Sequence, residues 1–367
     1  MMTHDVVIVG TGPAGATAGA LLAAGGLRVA VVGKDPFPRA DTGTAWVGPL
    51  AASVLKELGA DARSILNRPI NDVEFFNGDL SRSVKPELVE PLGFVIDRAL
   101  LENALIQTAA TAGADMRHGR PVADILVREE GVELTVESGE PVSGRLLLLA
   151  AGRQSPLIRR LGLSGRAAPD GLWTAGLNAA ADVPKGRCAV HLVLGLSRRG
   201  GFGLAISSGK RMAVAASVPG SREEAVACLA RLCRALADRK MAPSGLDSRV
   251  DGAVVVPPPP AALEMDSHVG KHSLVIGPCG GFVSAFSNEG TVAAMTSARI
   301  AAEVAAVALK GRQSQDELMA FDTRWRTEMA DAVRPPDADM HFLVPLIFTN
   351  RAMADRMAGA FFLGRPL

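Results

Sequence analysis

Three glycines near the amino terminus have the spacing of a nucleotide-binding turn. Gly10, Gly12 and Gly15 follow four consecutive β-branched residues in a Gly-x-Gly-x-x-Gly pattern. The first glycine permits the turn, the second lets a diphosphate approach the backbone, and the third lets the next helix pack closely on the strand. The free N–H groups and partial positive charge at that helix start attract phosphate. The pattern predicts that these glycines, with Pro13 and Ala14, bind the diphosphate of a dinucleotide.

The elements around this turn form a complete βαβ unit. Residues 6–9 have the composition of a buried strand, the small residues to about 24 predict a helix, and the apolar run at 27–32 predicts a second strand. A lone glycine pattern also occurs in ordinary turns. Its place between two strands of a βαβ unit favours dinucleotide binding over a purely structural turn.

Further along, the pattern changes twice. Residues 96–112 predict a helix, and 122–127, 132–136 and 145–150 predict strands. The stretch from about 171 to 256 predicts short strands at 191–194, 204–207 and 212–217 with a helix at 222–237, which is typical of a separate antiparallel domain. After four prolines the apolar strand pattern returns at 273–276 and leads through a glycine-rich turn into a small-residue helix. The first domain is therefore predicted to be discontinuous.

Composition excludes several classes of function. The 39 basic and 38 acidic residues leave a formal charge of +1, which gives no electrostatic footprint for nucleic acid or an anionic membrane. The chain contains no tyrosine, so a mechanism that requires a phenol is excluded. Neither the four cysteines nor the six histidines have metal-ligand spacing, and no metal is predicted. The start of the chain has no targeting pattern, and no window approaches the roughly 20 uninterrupted apolar residues of a spanning helix, so a cytoplasmic protein without stable membrane insertion is expected.

Four segments in order resemble a known family. They are Asp5 to Gly15, Phe37-Pro38-Arg39, Ile96-Asp97-Arg98-Ala99-Leu100-Leu101, and Val275 to Phe282 followed by Ser287-Asn288-Glu289-Gly290. The chain resembles the FAD-dependent oxidoreductases with the p-hydroxybenzoate hydroxylase fold, in the branch of geranylgeranyl reductases and tryptophan-halogenase-like proteins. This resemblance implies an α/β fold with a Rossmann-like FAD/NAD(P)-binding domain and an inserted antiparallel-sheet substrate domain.

The resemblance also implies domain ranges and cofactor contacts. The implied ranges are 1–70, 94–168 and 262–310 for the FAD-binding domain, 71–93 and 169–261 for the substrate domain, and 311–367 for a carboxy-terminal helical segment. Arg39 is implied to lie near the flavin phosphates or ribityl chain, and Arg98 against the cofactor. The second nucleotide-binding signature, with a helix start facing the pyrimidine edge of the flavin, implies contacts from Gly277, Gly281, Asn288 and Gly290.

Three acids that this family usually carries are absent. Gly33 replaces the acid that accepts hydrogen bonds from the adenosine ribose, Pro278 replaces the aspartate of the second signature, and Ala151 replaces another acid. Since a charged hydrogen bond contributes about 1.5–3 kcal/mol, the sequence predicts weakly bound FAD. Asp35 is an alternative ribose partner. Lys34 next to Gly33 also matches NADP-binding enzymes, although a solvated lysine is the preferred interpretation.

No catalytic side chain is predicted, because the flavin ring carries the redox chemistry in such enzymes. His191 is predicted to lie near the substrate face, more as a core or surface residue than as a base, whereas His118 and His268 are expected to be solvated. Cys279 is interpreted mainly as a small packing residue. Trp46 has two interpretations, stacking on flavin or substrate and packing at the rim. The apolar carboxy-terminal end is expected to pack back on the molecule.

Two functions of different classes follow. The first is an FAD-dependent oxidoreductase, a monooxygenase or reductase, which acts on an apolar or aromatic substrate or on a side chain of a partner protein, with NAD(P)H as a candidate electron donor. The second is a flavin-free relative that acts as a binding or maturation protein, suggested by the three absent acids. The sequence leaves the substrate and the oligomeric state open.

Overall fold

The computed structural model describes most of the chain. The described residues are 4–40, 43–87, 90–153, 155–166, 171–180, 188–311, 315–335 and 340–367. The strands are β1 (His4–Val9), β2 (Val29–Val32), β3 (Thr44–Val47), β4 (Asp72–Asn77), β5 (Ser83–Val84), β6 (Phe94–Asp97), β7 (Asp115–Arg117), β8 (Val122–Val127), β9 (Val132–Val136), β10 (Val142–Leu149), β11 (Leu172–Ala180), β12 (Cys188–Ser197), β13 (Gly200–Ser208), β14 (Arg211–Pro219), β15 (Val254–Val256), β16 (Val269–Gly270) and β17 (Ser273–Val275). The α-helices are α1 (Pro13–Ala24), α2 (Ala51–Glu57), α3 (Ala62–Ile65), α4 (Arg98–Thr111), α5 (Arg222–Asp238), α6 (Thr291–Lys310), α7 (Gln315–Val333), α8 (Met340–Ile347) and α9 (Arg351–Leu363).

The first sheet has eight strands and a parallel centre. Its order is β16-β17-β10-β1-β2-β7, and β8 and β9 extend it as an antiparallel meander next to β10. The central strands β1 and β10 are fully apolar where Val6–Val9 pair with Leu146–Leu149, because helices cover one face and the meander covers the other. Helices α1 and α6 lie side by side on the first face. Since the central strands are parallel, the helices that follow β1 and β17 begin at the same edge of the sheet.

The second sheet has seven strands in the order β15-β11-β14-β13-β12-β4-β5. Helix α5 packs on one face and begins with a capping box between Ser221 and Glu224, which satisfies its first free amides. The opposite face is apolar along β12 and β13 and is covered by α8 and α9. Along β11 the same face carries Thr174 and Asn178, which contact the first domain.

Helix α6 (Thr291–Lys310) is the one helix among the described residues that is long and apolar enough, by composition, to cross a bilayer. However, 67% of this stretch is buried inside the protein. Its burial against α1 and α7 is typical of a core helix.

The elements predicted at 122–127, 132–136 and 222–237 are β8, β9 and α5, with boundaries that agree within one residue. The first sheet draws its strands from residues 4–32, 115–149 and 269–275, and the second from 72–84 and 172–256. The implied domain boundary at 168/169 lies outside the described residues.

Candidate functional site

The three glycines of the opening loop, residues 10–15, have different surroundings. Gly10 has a positive φ of 112°, and a Cβ there would overlap the carbonyl group of Ala150. A Cβ on Gly15 would overlap the Gly10 carbonyl group, so this glycine lets α1 pack against the turn. These two positions are therefore required by the fold, whether or not a ligand is bound.

Gly12 is different, because a Cβ at this position would have no protein atom within 4 Å. Its φ of −75° is also accessible to any residue. Thus neither packing nor backbone conformation requires a glycine here. Gly12 stands immediately before α1, whose first amides face the same space, so the arrangement fits the diphosphate of a dinucleotide.

The late loop, residues 277–290, directly contacts the opening loop. Gly277 has a φ of 65°, and its Cβ would lie 2.8 Å from Cβ of Ala14 and 3.8 Å from Cβ of Ala294. The Gly277 N–H donates to Ser297 Oγ at 3.0 Å. The first turns of α1 and α6 therefore meet at Gly277, and both helix N-termini open into one space. We call the space between the opening loop, the late loop and β11 the interdomain cleft.

The predicted site residue Gly281 faces residues 260–262. A Cβ on Gly281 would lie 2.5 Å from Ala262 N, and its φ is 79°. The neighbouring Gly280 carbonyl lies 2.7 Å from Nε2 of His268. His268 is completely buried, so the expectation that it is solvated was wrong. Sequence position beside a turn did not reveal that α7 covers this side of the late loop.

Arg39 lies beside the opening loop and is held by protein groups. Its guanidinium donates to Thr11 Oγ1 at 3.0 Å and to Asp35 at 2.9 Å, and Nε lies 2.9 Å from a Glu102 carboxylate oxygen. The predicted site residue Arg98 donates to the same Glu102 at 2.8 Å. The nearly buried Glu102 therefore anchors both arginines at the edge of the cleft, and the sequence analysis did not identify it.

The absent acid at position 33 has a steric explanation. A Cβ on Gly33 would lie 2.5 Å from Thr11 Oγ1, so the threonine of the opening loop occupies the space of a side chain at this position. Asp35, the alternative ribose partner, is paired with Arg39 instead. Lys34 is exposed, as the solvated interpretation requires.

A chain of polar side chains crosses from the first domain to the second. Arg153 donates to Asn288 Oδ1 at 2.8 Å, and Asn288 Nδ2 donates to Thr174 Oγ1 at 2.7 Å. Thr174 Oγ1 lies 2.8 Å from Ser217 Oγ. Desolvation, and then the nearby positive charge of Arg98, lower the pKa of Arg153 to about 10. Asn288, predicted as a cofactor contact, is thus also the link between the sheets.

Glu289 fills the N-terminus of α6. Its carboxylate accepts hydrogen bonds from the backbone amide of Thr291 at 2.6 Å and from that of Val292 at 3.2 Å. The predicted site residue Gly290 precedes the helix as its N-cap, and a Cβ there would lie 3.9 Å from the Arg153 guanidinium. Burial raises the pKa of Glu289 to about 7, although the amide hydrogen bonds and Arg153 favour its ionised form. Glu289 lies in the Ser287-Asn288-Glu289-Gly290 motif, but no role was predicted for it. An acid just before a helix is the signal that could have identified it.

The remaining candidates lie outside the cleft. His191 lies on the same face of β12 as Val193, which packs on the α5 side, and its ring contacts Phe76 there, so it points away from the cleft and its predicted position near the substrate face was wrong. His118 stacks on Phe37 with ring centroids 5.0 Å apart, and its Nδ1 is buried, so it is not simply solvated. Cys279 is buried with Sγ 3.1 Å from the Leu149 carbonyl oxygen, and burial raises the pKa of its thiol to about 11, as expected for a packing residue. Trp46 packs on Phe361 and Phe362 of α9, which places it among rim and core contacts.

The geometry fits FAD at the diphosphate end. The open space at Gly12, the free start of α1 and the adjoining late loop form a cradle that a side chain would obstruct. At the other end of the cleft, Arg153, Asn288 and Glu289 already bond to one another or to backbone amides. Two surface cavities, of about 470 and about 400 Å³, lie elsewhere.

Comparison with known proteins agrees with this geometry. A family model described as an FAD binding domain matches residues 3–276. Menaquinone reductase of Mycobacterium tuberculosis is 32% identical over 165 residues, which is 43% of this chain and only 40% of that protein. Digeranylgeranylglycerophospholipid reductase 2 of Methanopyrus kandleri is 26% identical over 342 residues, covering 89% of this chain and 83% of the relative.

Among solved structures, a geranylgeranyl bacteriochlorophyll reductase-like protein of Thermoplasma acidophilum superimposes with a TM-score of 0.75 at 18% identity. The match covers 98% of this chain and 96% of that one. At this identity, the similarity shows that the two chains share a fold.

Proposed function

The chain belongs to the FAD-binding domain family of flavin-dependent oxidoreductases, and we propose that it reduces carbon–carbon double bonds in an isoprenoid-like substrate. The observation that carries the assignment to a flavin enzyme is the Gly12 cradle. A Cβ at Gly12 would meet no protein atom within 4 Å, so the backbone is open to a ligand at the start of a helix that favours phosphate.

The proposed substrate class rests on the relatives. The apolar face of β12 and β13 is filled by α8 and α9 and belongs to the core, so it does not itself provide a substrate site. Two relatives are named as reductases of menaquinone and of a digeranylgeranyl lipid, which supports an apolar chain as the substrate.

The residues of this chain have separable roles in this proposal. The amides after Gly12 and the α1 dipole bind the diphosphate, while Arg39 and Glu102 hold Thr11 and the opening loop in place. Trp46, Phe361 and Phe362 pack against one another and hold α9 on the second sheet. When bound, FAD supplies a carrier of two electrons that accepts and delivers hydride.

The remaining assignments are part of the same proposal. We infer an external electron donor of the NAD(P)H class, a cytoplasmic location and no stable membrane insertion, with no nucleic-acid partner. The near-zero net charge supports the last point.

The experiment has two stages. Protein purified without added cofactor is mixed with FAD, and binding is measured by quenching of flavin fluorescence. The loaded protein, chemically reduced under anaerobic conditions, is then incubated with menaquinone or with a geranylgeranylated lipid. After reoxidation of any quinol in air, mass spectrometry is expected to show a gain of two hydrogens for each carbon–carbon double bond reduced.

A Gly12→Asp variant is the control, because it places a negative side chain in the cradle. Product formed equally by this variant would contradict the assignment of the cradle. A wild-type protein that binds no FAD would instead support the flavin-free alternative, and FAD binding without reduction of either lipid would contradict the proposed substrate.

A further inference from the structure

The N-termini of α1 and α6 open into the same interdomain cleft but differ in one respect. The α1 start has unfilled space in front of Gly12, whereas the amides of Thr291 and Val292 at the α6 start both bind the Glu289 carboxylate. A helix N-terminus favours negative charge or a carbonyl oxygen at this place. In α6 the protein supplies that acceptor from its own chain.

The charges around Glu289 are few. Arg153, from the loop after β10, is the charged side chain that faces it, and Arg98, at the start of α4, lies near Arg153. Arg153 donates its hydrogen bonds to the side chain and carbonyl group of Asn288, so it stabilises the Glu289 carboxylate only through space. From β11, the nearest link of the polar chain is the uncharged Thr174. Burial outweighs these contributions and raises the pKa of Glu289 to about 7.

A dinucleotide whose diphosphate binds at α1 would extend toward Glu289, because the first turns of α1 and α6 meet at Gly277. FAD carries a negative diphosphate, and its flavin ring presents carbonyl oxygens that require N–H donors. An ionised Glu289 weakens FAD binding in two ways. It repels the negative diphosphate, and it occupies the two N–H donors of Thr291 and Val292 that a flavin carbonyl oxygen would need. A protonated Glu289 carries no charge and is a poorer acceptor for the two amides.

We propose that Glu289 is an internal competitor for the flavin half of FAD, which takes over the α6 amides while Glu289 takes up one proton. This inference rests on the proposed FAD binding and adds the residue that controls it. No electron transfer is involved, since the exchange consists of two amide hydrogen bonds and one proton from solvent.

The direction of the pH effect follows from linkage. The complex is expected to hold Glu289 with a higher pKa than the free protein, because the carboxylate loses its amide partners and meets a negative ligand. Between these two pKa values each FAD bound takes up one proton, so affinity falls as the pH rises. The dissociation constant is expected to increase about tenfold from about pH 6 to about pH 8, with most of the change above about pH 7.

The test measures binding of FAD and of ADP-ribose, which has the diphosphate diester but no flavin and no phosphate that titrates in this range, by calorimetry and fluorescence. Wild type is expected to show the increase for FAD and a much smaller one for ADP-ribose. Glu289→Gln, which keeps an acceptor oxygen for the amides, is expected to bind FAD equally at both pH values and about tenfold more tightly than wild type at about pH 8. Glu57→Gln is the matched control, because it removes an exposed carboxylate on α2, and it should behave as wild type.

Calorimetry of wild type in two buffers of different ionisation enthalpy gives a second measurement that does not depend on the variant folding. It is expected to show about one proton taken up per FAD at about pH 8. Absence of proton uptake, an unchanged slope in Glu289→Gln or an equal slope for ADP-ribose would each overturn the inference while FAD binding stands. Failure to bind either ligand would instead overturn the proposed function and this inference with it.

Discussion

At the residue scale, the opening loop shows that identical residues can be constrained for different reasons. Gly10 and Gly15 are restricted by backbone atoms of the protein, whereas Gly12 borders empty space. Of these three glycines, only Gly12 has no packing constraint and leaves the backbone open to a ligand. Cys279, although it belongs to the late loop, is buried with a raised thiol pKa and acts in packing.

We expect Gly12→Asp to separate folding from binding. Aspartate is a good N-cap residue and Gly12 is the N-cap of α1, so the free energy of unfolding should stay within about 1 kcal/mol of wild type or rise. FAD affinity should fall at least about 100-fold, because the side chain meets the diphosphate with bulk and like charge. Urea denaturation and flavin fluorescence titration measure the two effects.

Gly12→Asn is the matched neutral variant and should show the steric part of the loss. Gly15→Ala should instead reduce stability strongly, since its Cβ overlaps the Gly10 carbonyl group. An FAD affinity within threefold of wild type in Gly12→Asp would show that the diphosphate binds elsewhere.

At the element scale, α7 supports the late loop without entering the cleft. Asp322 on α7 accepts hydrogen bonds from Ser267 Oγ at 2.6 Å, the His268 amide at 3.1 Å and Trp325 Nε1 at 3.0 Å. His268 in turn contacts the carbonyl group of Gly280. Burial by itself would raise the pKa of the Asp322 carboxyl group. The hydrogen bonds from His268, Ser267 and Trp325 have the larger effect and hold this pKa well below its usual range.

Asp322→Asn is expected to reduce the free energy of unfolding by about 3 kcal/mol near neutral pH, because an amide cannot accept all of these bonds. A carboxyl group with a lowered pKa stabilises the fold above its unfolded value and loses that contribution as the pH falls. The difference between wild type and variant should therefore shrink below about pH 4. Asp331→Asn, an exposed change on the same helix, is the control in urea denaturation; an equal effect of both variants would show that Asp322 has no special role.

At the scale of the whole molecule, the polar chain Arg153–Asn288–Thr174–Ser217 joins the two sheets across the cleft. It links the loop after β10, the late loop and β11, all of which border the proposed cofactor. Within this row of hydrogen bonds, Asn288 has a φ of 56°, a conformation that asparagine tolerates better than most residues.

Thr174→Val is expected to weaken this connection, because the valine methyl group cannot accept the Asn288 hydrogen bond. The unsatisfied amide should lower the free energy of unfolding by about 1–2 kcal/mol and increase hydrogen exchange in the late loop. Thr174→Ser retains the hydroxyl group and should preserve the protection. Unchanged exchange in Thr174→Val would show that other contacts set the position of the late loop.

Local pattern was sufficient for much of this protein. The glycine spacing, the alternation of apolar residues and the capping signals around α5 depend on neighbours in sequence, so they determined the βαβ unit, the mainly antiparallel second sheet and the family. The parallel pairing of β4 with β12 was not predicted, because it joins segments more than a hundred residues apart. The ranges predicted for β8 and β9 agree with the structure because no distant contact opposes their local preference.

Tertiary structure decided the properties that depend on distant residues. His268 became buried because α7, more than fifty residues later, covers it, and His191 turned from the cleft because strand register selects the face of every side chain. The ionisation of Glu289 depends on its solvent exclusion and on Arg153, 136 positions earlier in the chain. Sequence patterns record preferences of neighbours, whereas burial and charge are set by whatever folding brings into contact.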